Sequence, residues 1–306
     1  MLKIKKILFP TDFSKCADQA LTHAVFYAEK YGAELHILHV ITLFADQPDI
    51  LQKEFLATGD MIKNIERNFE EQIITVARKH EDKGIRILQS CKRGISAAPT
   101  ILEYASKNDI DLIIMGTQGR RGLAHILLGS TAEEIVRMAD CAVFTIREQK
   151  NVKPIKAIQQ ILVPVDFSEH SATAISYAKK IAQDYDAQLQ LLHIIEDTTH
   201  PAFSLSGKSS IYDFFPNIKE DSIKKVRKMF AEANGPEVKS EIFVQDGHPT
   251  HEIIEFSKKN ASDLIVISTH GLTGVDHFLI GSVTEKVVRK AFCPVFTVRT
   301  FGKSLI

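Results

Sequence analysis

The sequence predicts an α/β protein built as two tandem, doubly wound, open parallel five-stranded sheets. Three observations predict it. Short apolar runs alternate with stretches of helical periodicity, the rhythm of a parallel sheet covered by helices. That rhythm occurs twice along the chain. The 306 residues are enough for two such units at about 150 residues each.

The repeat is visible residue by residue. Ile7 to Val40 reappears as Ile161 to Ile194, so that Ile-Leu-Phe-Pro-Thr-Asp-Phe-Ser becomes Ile-Leu-Val-Pro-Val-Asp-Phe-Ser. Asp111 to Arg147 reappears as Asp263 to Arg299, with 19 of these 37 positions identical. Two long blocks at nearly the same offset mean one duplicated domain, with expected domains at residues 1–150 and 155–306. The polar stretch from Glu148 to Ala157, with Pro154, suits a linker.

Within the first half, Lys5 to Phe9 is a short apolar strand ending at Pro10. Ala17, Ala20, Leu21, Ala24 and Ala28 follow at helical spacing. Leu35 to Ile41 reads as a second strand, and Met61 to Lys79 as a long amphipathic helix. Ile85 to Leu88 reads as a third strand and Ala97 to Ser106 as a helix. Asp111 to Met115 is a continuous apolar strand of the kind buried on both faces. A helix over Ala132 to Ala139 and a strand over Ala142 to Ile146 complete the unit.

Composition excludes several classes. Lys+Arg and Asp+Glu are both 38, a balance unsuited to coating nucleic acid or an anionic membrane. No apolar run approaches the roughly 20 residues of a membrane span, and the N-terminus lacks a signal-peptide core. Four cysteines without a C-x-x-C pair exclude a disulfide framework and a zinc ribbon, and a cytoplasmic location is expected.

Ligands of such sheets bind beyond the carboxyl ends of the strands, where the strand order reverses. With three strands running outward on one side and two on the other, the first and fourth strands are neighbours there. Their ends carry the least ordinary residues: Pro10-Thr11-Asp12-Phe13-Ser14, and Met115-Gly116-Thr117-Gln118-Gly119 followed by Gly129-Ser130. Gly116 would permit close approach of a ribose or phosphate, and Gly119 and Gly122 would shape the loop. Gly129 and Ser130 would offer amides at a helix N-terminus to an anion, with Arg120 and Arg121 nearby or simply solvated. The competing reading of Ser130-Thr131-Ala132-Glu133 is a capping box that needs no ligand.

These residues resemble the nucleotide-binding branch of the universal stress protein family in its tandem form. That branch carries Gly-x2-Gly-x9-Gly-Ser/Thr after the fourth strand and an Asp after the first; Gly116, Gly119, Gly129, Ser130 and Asp12 complete it in the first half. The resemblance implies a Rossmann-like fold of the adenine nucleotide alpha hydrolase type. It also implies that Pro10, Thr11, Asp12 and Val40 surround adenine and ribose. Met115, Gly116 and Gly119 would line ribose and phosphates, and Gly129, Ser130 and Thr131 the phosphate tail. ATP is the implied ligand, with AMP or ADP as alternatives and Mg2+ accompanying ATP. In the second half the matching positions are Pro164, Val165, Asp166, Ile194, Ser268, Gly271, Gly281, Ser282 and Val283, and Ser268 departs from glycine. A serine there is penalised if the backbone needs positive φ; otherwise its hydroxyl has a phosphate or ribose to donate to.

Other repeated residues read as structural. His39 and His193, and His125 and His277, lack an adjacent nucleophile or a second metal ligand. Cys141 and Cys293 read as core, and Arg137 and Arg289 as partners of a carboxylate. The last strands read as edges that invite pairing, giving a monomeric pseudo-dimer or a homodimer. Pro201 to Pro216, with Phe203, Tyr212, Phe214 and Phe215, reads as a mobile loop. Three functions compete: a nucleotide-binding stress or signalling module, a slow ATPase, and an adaptor that needs no nucleotide. The ATPase lacks a Gly-x4-Gly-Lys-Ser/Thr loop.

Overall fold

The computed structural model describes residues 1–42, 59–80, 83–119, 128–148, 158–196, 211–271 and 280–306. The chain divides into two compact units, one of Lys3–Ile155 with Lys303–Leu305, the other of Met1–Leu2, Lys156–Gly302 and Ile306. The linker stretch from Gln149 to Ala157 lies outside the described residues, as do Arg120, Arg121, Gly122, His125, Phe203 and His277.

The first unit runs β1 (Lys6–Pro10), α1 (Lys15–Tyr31), β2 (Glu34–Thr42), α2 (Gly59–Arg78), β3 (Ile87–Gly94), α3 (Ala97–Lys107), β4 (Leu112–Gly116), α4 (Ser130–Met138) and β5 (Ala142–Ile146). Its strands are ordered β3-β2-β1-β4-β5 and are all parallel. The second unit runs β6 (Gln160–Pro164), α5 (Glu169–Tyr185), β7 (Gln188–Ile195), a 3-10 turn at Ile211–Asp213, α6 (Ile218–Glu232), β8 (Ser240–Asp246), α7 (Pro249–Lys259), β9 (Leu264–Ser268), α8 (Ser282–Lys290) and β10 (Val295–Val298). Its order, β8-β7-β6-β9-β10, is the same path. Each unit is therefore a doubly wound parallel sheet, and its first and fourth strands are neighbours as the sequence predicts.

Burial explains why the central strands are legible in the sequence. Ile7, Leu8, Phe9, Leu112, Ile113 and Ile114 are each at most 1% exposed, so both faces of β1 and β4 are covered. The third strand is the exception. The sequence places it at Ile85 to Leu88, but β3 begins at Ile87 and continues through Gln89, Ser90, Lys92 and Arg93 to Gly94. It lies at the end of its unit's strand order and is largely half-buried or exposed, so no apolar run announces it.

Helix ends are fixed by small devices. Ser14 Oγ accepts the Ala17 N–H to cap α1, and Ser168 Oγ accepts the Ser171 N–H to cap α5. The start of each fourth strand is pinned by a carboxylate. Asp111 Oδ2 accepts the Lys5 and Lys6 N–H groups at 2.7 and 2.8 Å, and Asp263 Oδ2 accepts those of Gln159 and Gln160 at 2.8 and 3.0 Å. Cys141 and Cys293 are buried before the last strands, and burial pushes both thiols up to about 12, which leaves them inert core groups. Arg289 pairs with Glu285 one turn earlier. Among the described residues, no helix is long and apolar enough to cross a membrane.

His23 on α1 is a costly feature of this core. Its ring lies 5.5 Å from that of Phe144 on β5, and its Nδ1 is buried without a hydrogen-bond partner. Burial lowers its pKa from 6.5 to about 4. The unfolded chain takes up this proton near pH 6.5 and the folded chain only near pH 4. Stability is thus retained above pH 6.5 and falls as pH drops toward 4. Urea denaturation at pH 7 and pH 4.5 should show a loss that His23→Leu reduces by roughly 2 kcal/mol. Equal losses in the two proteins would show that His23 does not titrate in this window.

Candidate functional site

The sheet order brings the carboxyl ends of β1 and β4 together, and the loops that follow them meet. The loop after β1 is held by its own side chains. Thr11 Oγ1 accepts the Phe13 N–H at 3.0 Å, and Asp12 Oδ1 accepts the Ser14 N–H at 3.0 Å. Phe13 and its counterpart Phe167 both adopt left-handed backbone, φ 59° and 64°. A histidine on the second strand supports this turn in each unit. His39 Nδ1 bonds the Thr11 carbonyl at 2.7 Å, and His193 Nδ1 bonds that of Val165 at 2.8 Å. In the first unit the His39 ring packs on Phe69 of α2 at 4.1 Å and on Phe13 at 4.9 Å. In the second, His193 packs on Phe167 at 4.1 Å, and burial lowers its pKa despite the Val165 carbonyl. These histidines are positioning residues. The repeated Asp-Phe-Ser is the sequence signal for the strained phenylalanine.

Two predicted site residues touch across the loops. A Cβ on Gly119 would stand 2.6 Å from Asp12 Oδ2, and one on Gly271 would stand 2.5 Å from Asp166 Oδ2. A side chain at either place would have to displace the carboxylate end of the aspartate. Pro10 ends β1 and Pro164 ends β6; Thr11 and Val165 are buried, and Asp12 and Asp166 half-buried. Val40 and Ile194 lie half-buried near the ends of β2 and β7. Met115 is buried in β4.

The helix after the fourth strand differs from the capping-box expectation. Gly129 is the N-cap of α4, Ser130 is its first helical residue, and no side chain caps it. The Glu133 N–H bonds the Gly129 carbonyl at 3.0 Å, an ordinary helical bond. The amides of Ser130, Thr131 and Ala132 therefore lack an intrahelical acceptor. The Gly129 N–H itself, expected to be available, is bonded to the Thr117 carbonyl at 2.8 Å. The second unit repeats this: Gly281 caps α8 without a side chain, its N–H bonds the Thr269 carbonyl at 2.7 Å, and Ser282 and Val283 open the helix.

Gly116 has a packing reason beside the one expected. Its φ is not positive, and neither is that of Ser268. The space a Cβ would take is filled by the protein itself, 2.7 Å from Cys16 Sγ and 3.2 Å from the Cys16 backbone. The second unit replaces both partners, with His170 for Cys16 and Ser268 for Gly116, and His170 bonds Thr300 instead. The Ser268 hydroxyl, which the sequence offers to a ligand, donates to the His270 carbonyl. Gly116→Ala should thus cost about 1–3 kcal/mol by overpacking, with part recovered in Gly116→Ala/Cys16→Ala. Chemical denaturation of the three proteins checks this; a neutral Gly116→Ala would mean the contact is relieved without cost.

Comparisons place this arrangement among known proteins. Over 144 residues, the chain is 35% identical to a universal stress protein of Methanocaldococcus jannaschii, covering 46% of this chain and 82% of that one. It is 24% identical over 321 residues to one from Synechocystis, covering 97% and 100%. The crystal structure of an Archaeoglobus fulgidus universal stress protein superposes with a TM-score of 0.67 at 22% identity, covering 96% of this chain and 98% of that one, which supports the fold. The profile of the Universal stress protein family matches residues 3–147 and again 157–299. The chain belongs to the universal stress protein family, as a tandem of two of its domains.

Proposed function

We propose that the chain is an adenine-nucleotide-binding stress or signalling module of the cytoplasm, with ATP as the ligand of its first unit and AMP or ADP as alternatives. One juxtaposition carries this reading. The Asp12 carboxylate lies beside Gly119, and α4 opens nearby at Gly129, a glycine with no side-chain cap whose N–H bonds the Thr117 carbonyl. An anion fits at such a helix start, where unpaired N–H groups and the helix dipole both favour negative charge. Asp12 accepts hydrogen bonds, which suits ribose hydroxyls rather than phosphate. The two ends of the crevice thus prefer opposite chemistries, as the two ends of a nucleotide require.

In this reading Pro10, Thr11, Asp12 and Val40 hold the nucleoside, and Gly119, Gly129, Ser130 and Thr131 the phosphates. Mg2+ would arrive with ATP. Met115 and Gly116 would line ribose and phosphates, with Gly116 also packed against Cys16. Occupancy stabilises the bound form by mass action, about 2.7 kcal/mol at ligand 100 times above Kd.

Purified protein, denatured and analysed by absorbance and chromatography, should release adenine nucleotide. Stripped protein should melt about 5 °C higher in saturating ATP, and Gly129→Val, whose side chain crowds the Thr117 carbonyl, should lose that shift. Protein carrying no nucleotide and showing no shift would favour the adaptor.

A further inference from the structure

The two crevices are built alike but furnished differently. In the second unit three hydroxyls stand where the first unit has none: Ser171 for Ala17, Ser268 for Gly116 and Thr284 for Ala132. Each makes a bond within the crevice. Ser171 Oγ donates to Asp166 Oδ1 and accepts the Asp166 N–H at 3.1 Å. Ser168 adds its hydroxyl at 2.6 Å and its N–H at 3.1 Å to the same carboxylate oxygen. Asp166 Oδ1 thus takes three donors of its own chain, while Oδ2 lies where a Cβ on Gly271 would meet it, as Asp12 Oδ2 does beside Gly119. Ser268 Oγ bonds the His270 carbonyl, folding the loop after β9 back on itself. Thr284 Oγ1, buried, donates to the Ser268 carbonyl at 2.7 Å and ties the first turn of α8 to the end of β9.

We propose that these hydroxyls close the second crevice to nucleotide, so that the chain takes one adenine nucleotide rather than two. This rests on the reading that the first unit binds one. A carboxylate has about four acceptor positions, and Asp166, with three donors already on Oδ1, has about one left to offer a ribose. Both units tie the helix N-cap to the preceding loop through the glycine N–H, and Thr284 adds a second tie where the first unit has Ala132, so the first turn of α8 has less freedom to adjust to a phosphate. The second unit thereby gains, without ligand, the crevice order that the first gains by binding. Gly271 still makes room for Asp166, and Gly281 and Ser282 still open α8.

The test is calorimetric titration of the full chain with ATP. The native chain should bind one equivalent, and Ser171→Ala/Ser268→Gly/Thr284→Ala should bind two. Gly129→Val should bind none alone and one when combined with the triple change. Two equivalents in the native chain, or one in a folded triple variant, would overturn the proposal. No binding by any of the four proteins would instead overturn the nucleotide reading, and the proposal with it. If the triple variant fails to fold, Ala17→Ser/Ala132→Thr in the first unit provides the reverse test: ATP affinity should fall at least about tenfold, 1.4 kcal/mol by conversion. Unchanged affinity in that folded variant would overturn the proposal.

Discussion

The parallel pairing of each unit's first strand with its fourth is the constraint on which the rest of the structure depends. It makes the sheet reverse direction of growth at that point, and it places two loops distant in sequence against each other. The pairing is fastened at its start by carboxylates. Asp111 and Asp263 bind backbone amides where the strands begin, and Asp12 and Asp166 fill the space over a glycine where the strands end. The lower aspartates hold backbone amides, and the upper ones lie at the loops the proposed function assigns to the ligand. Their positions therefore separate their roles even though the residue type is the same.

Much of this is legible because burial writes itself into composition. β1, β4 and β5 are continuous apolar runs covered on both faces, and the duplication supplies each reading twice. β3 is misplaced by sequence reasoning because an end strand with one poorly covered face keeps polar residues, and Ile85 and Ile87 look alike to periodicity. The pairing of Asp12 with Gly119 follows from strand order. The reason for Gly116 does not. Its neighbour is Cys16, 100 residues earlier, and only the packing of α1 against β4 brings them together. The capping box fails for a local reason, since the helix begins one residue after the glycine and Ser130 is already helical.

Duplication has also let the halves diverge in how they satisfy the same backbone. Net gains of about 1 kcal/mol per hydrogen bond are small beside a bound polyphosphate, yet they act at every ligand concentration. Ser171, Ser268 and Thr284 give the second unit permanent bonds where the first presents Ala17, Gly116 and Ala132. These are ordinary residues singly, and only their shared location gives them meaning. A chain with one responsive and one fixed unit would report nucleotide level through a single transition.

The first-turn amides of α4 are the groups proposed to hold the phosphates, and amide hydrogen exchange reads them residue by residue. On adding ATP to the stripped full chain, exchange at Ser130, Thr131 and Ala132 should slow by at least about tenfold, with that at Ser282 to Thr284 unchanged. Exchange that is equally fast with and without ATP at the start of α4 would contradict the account.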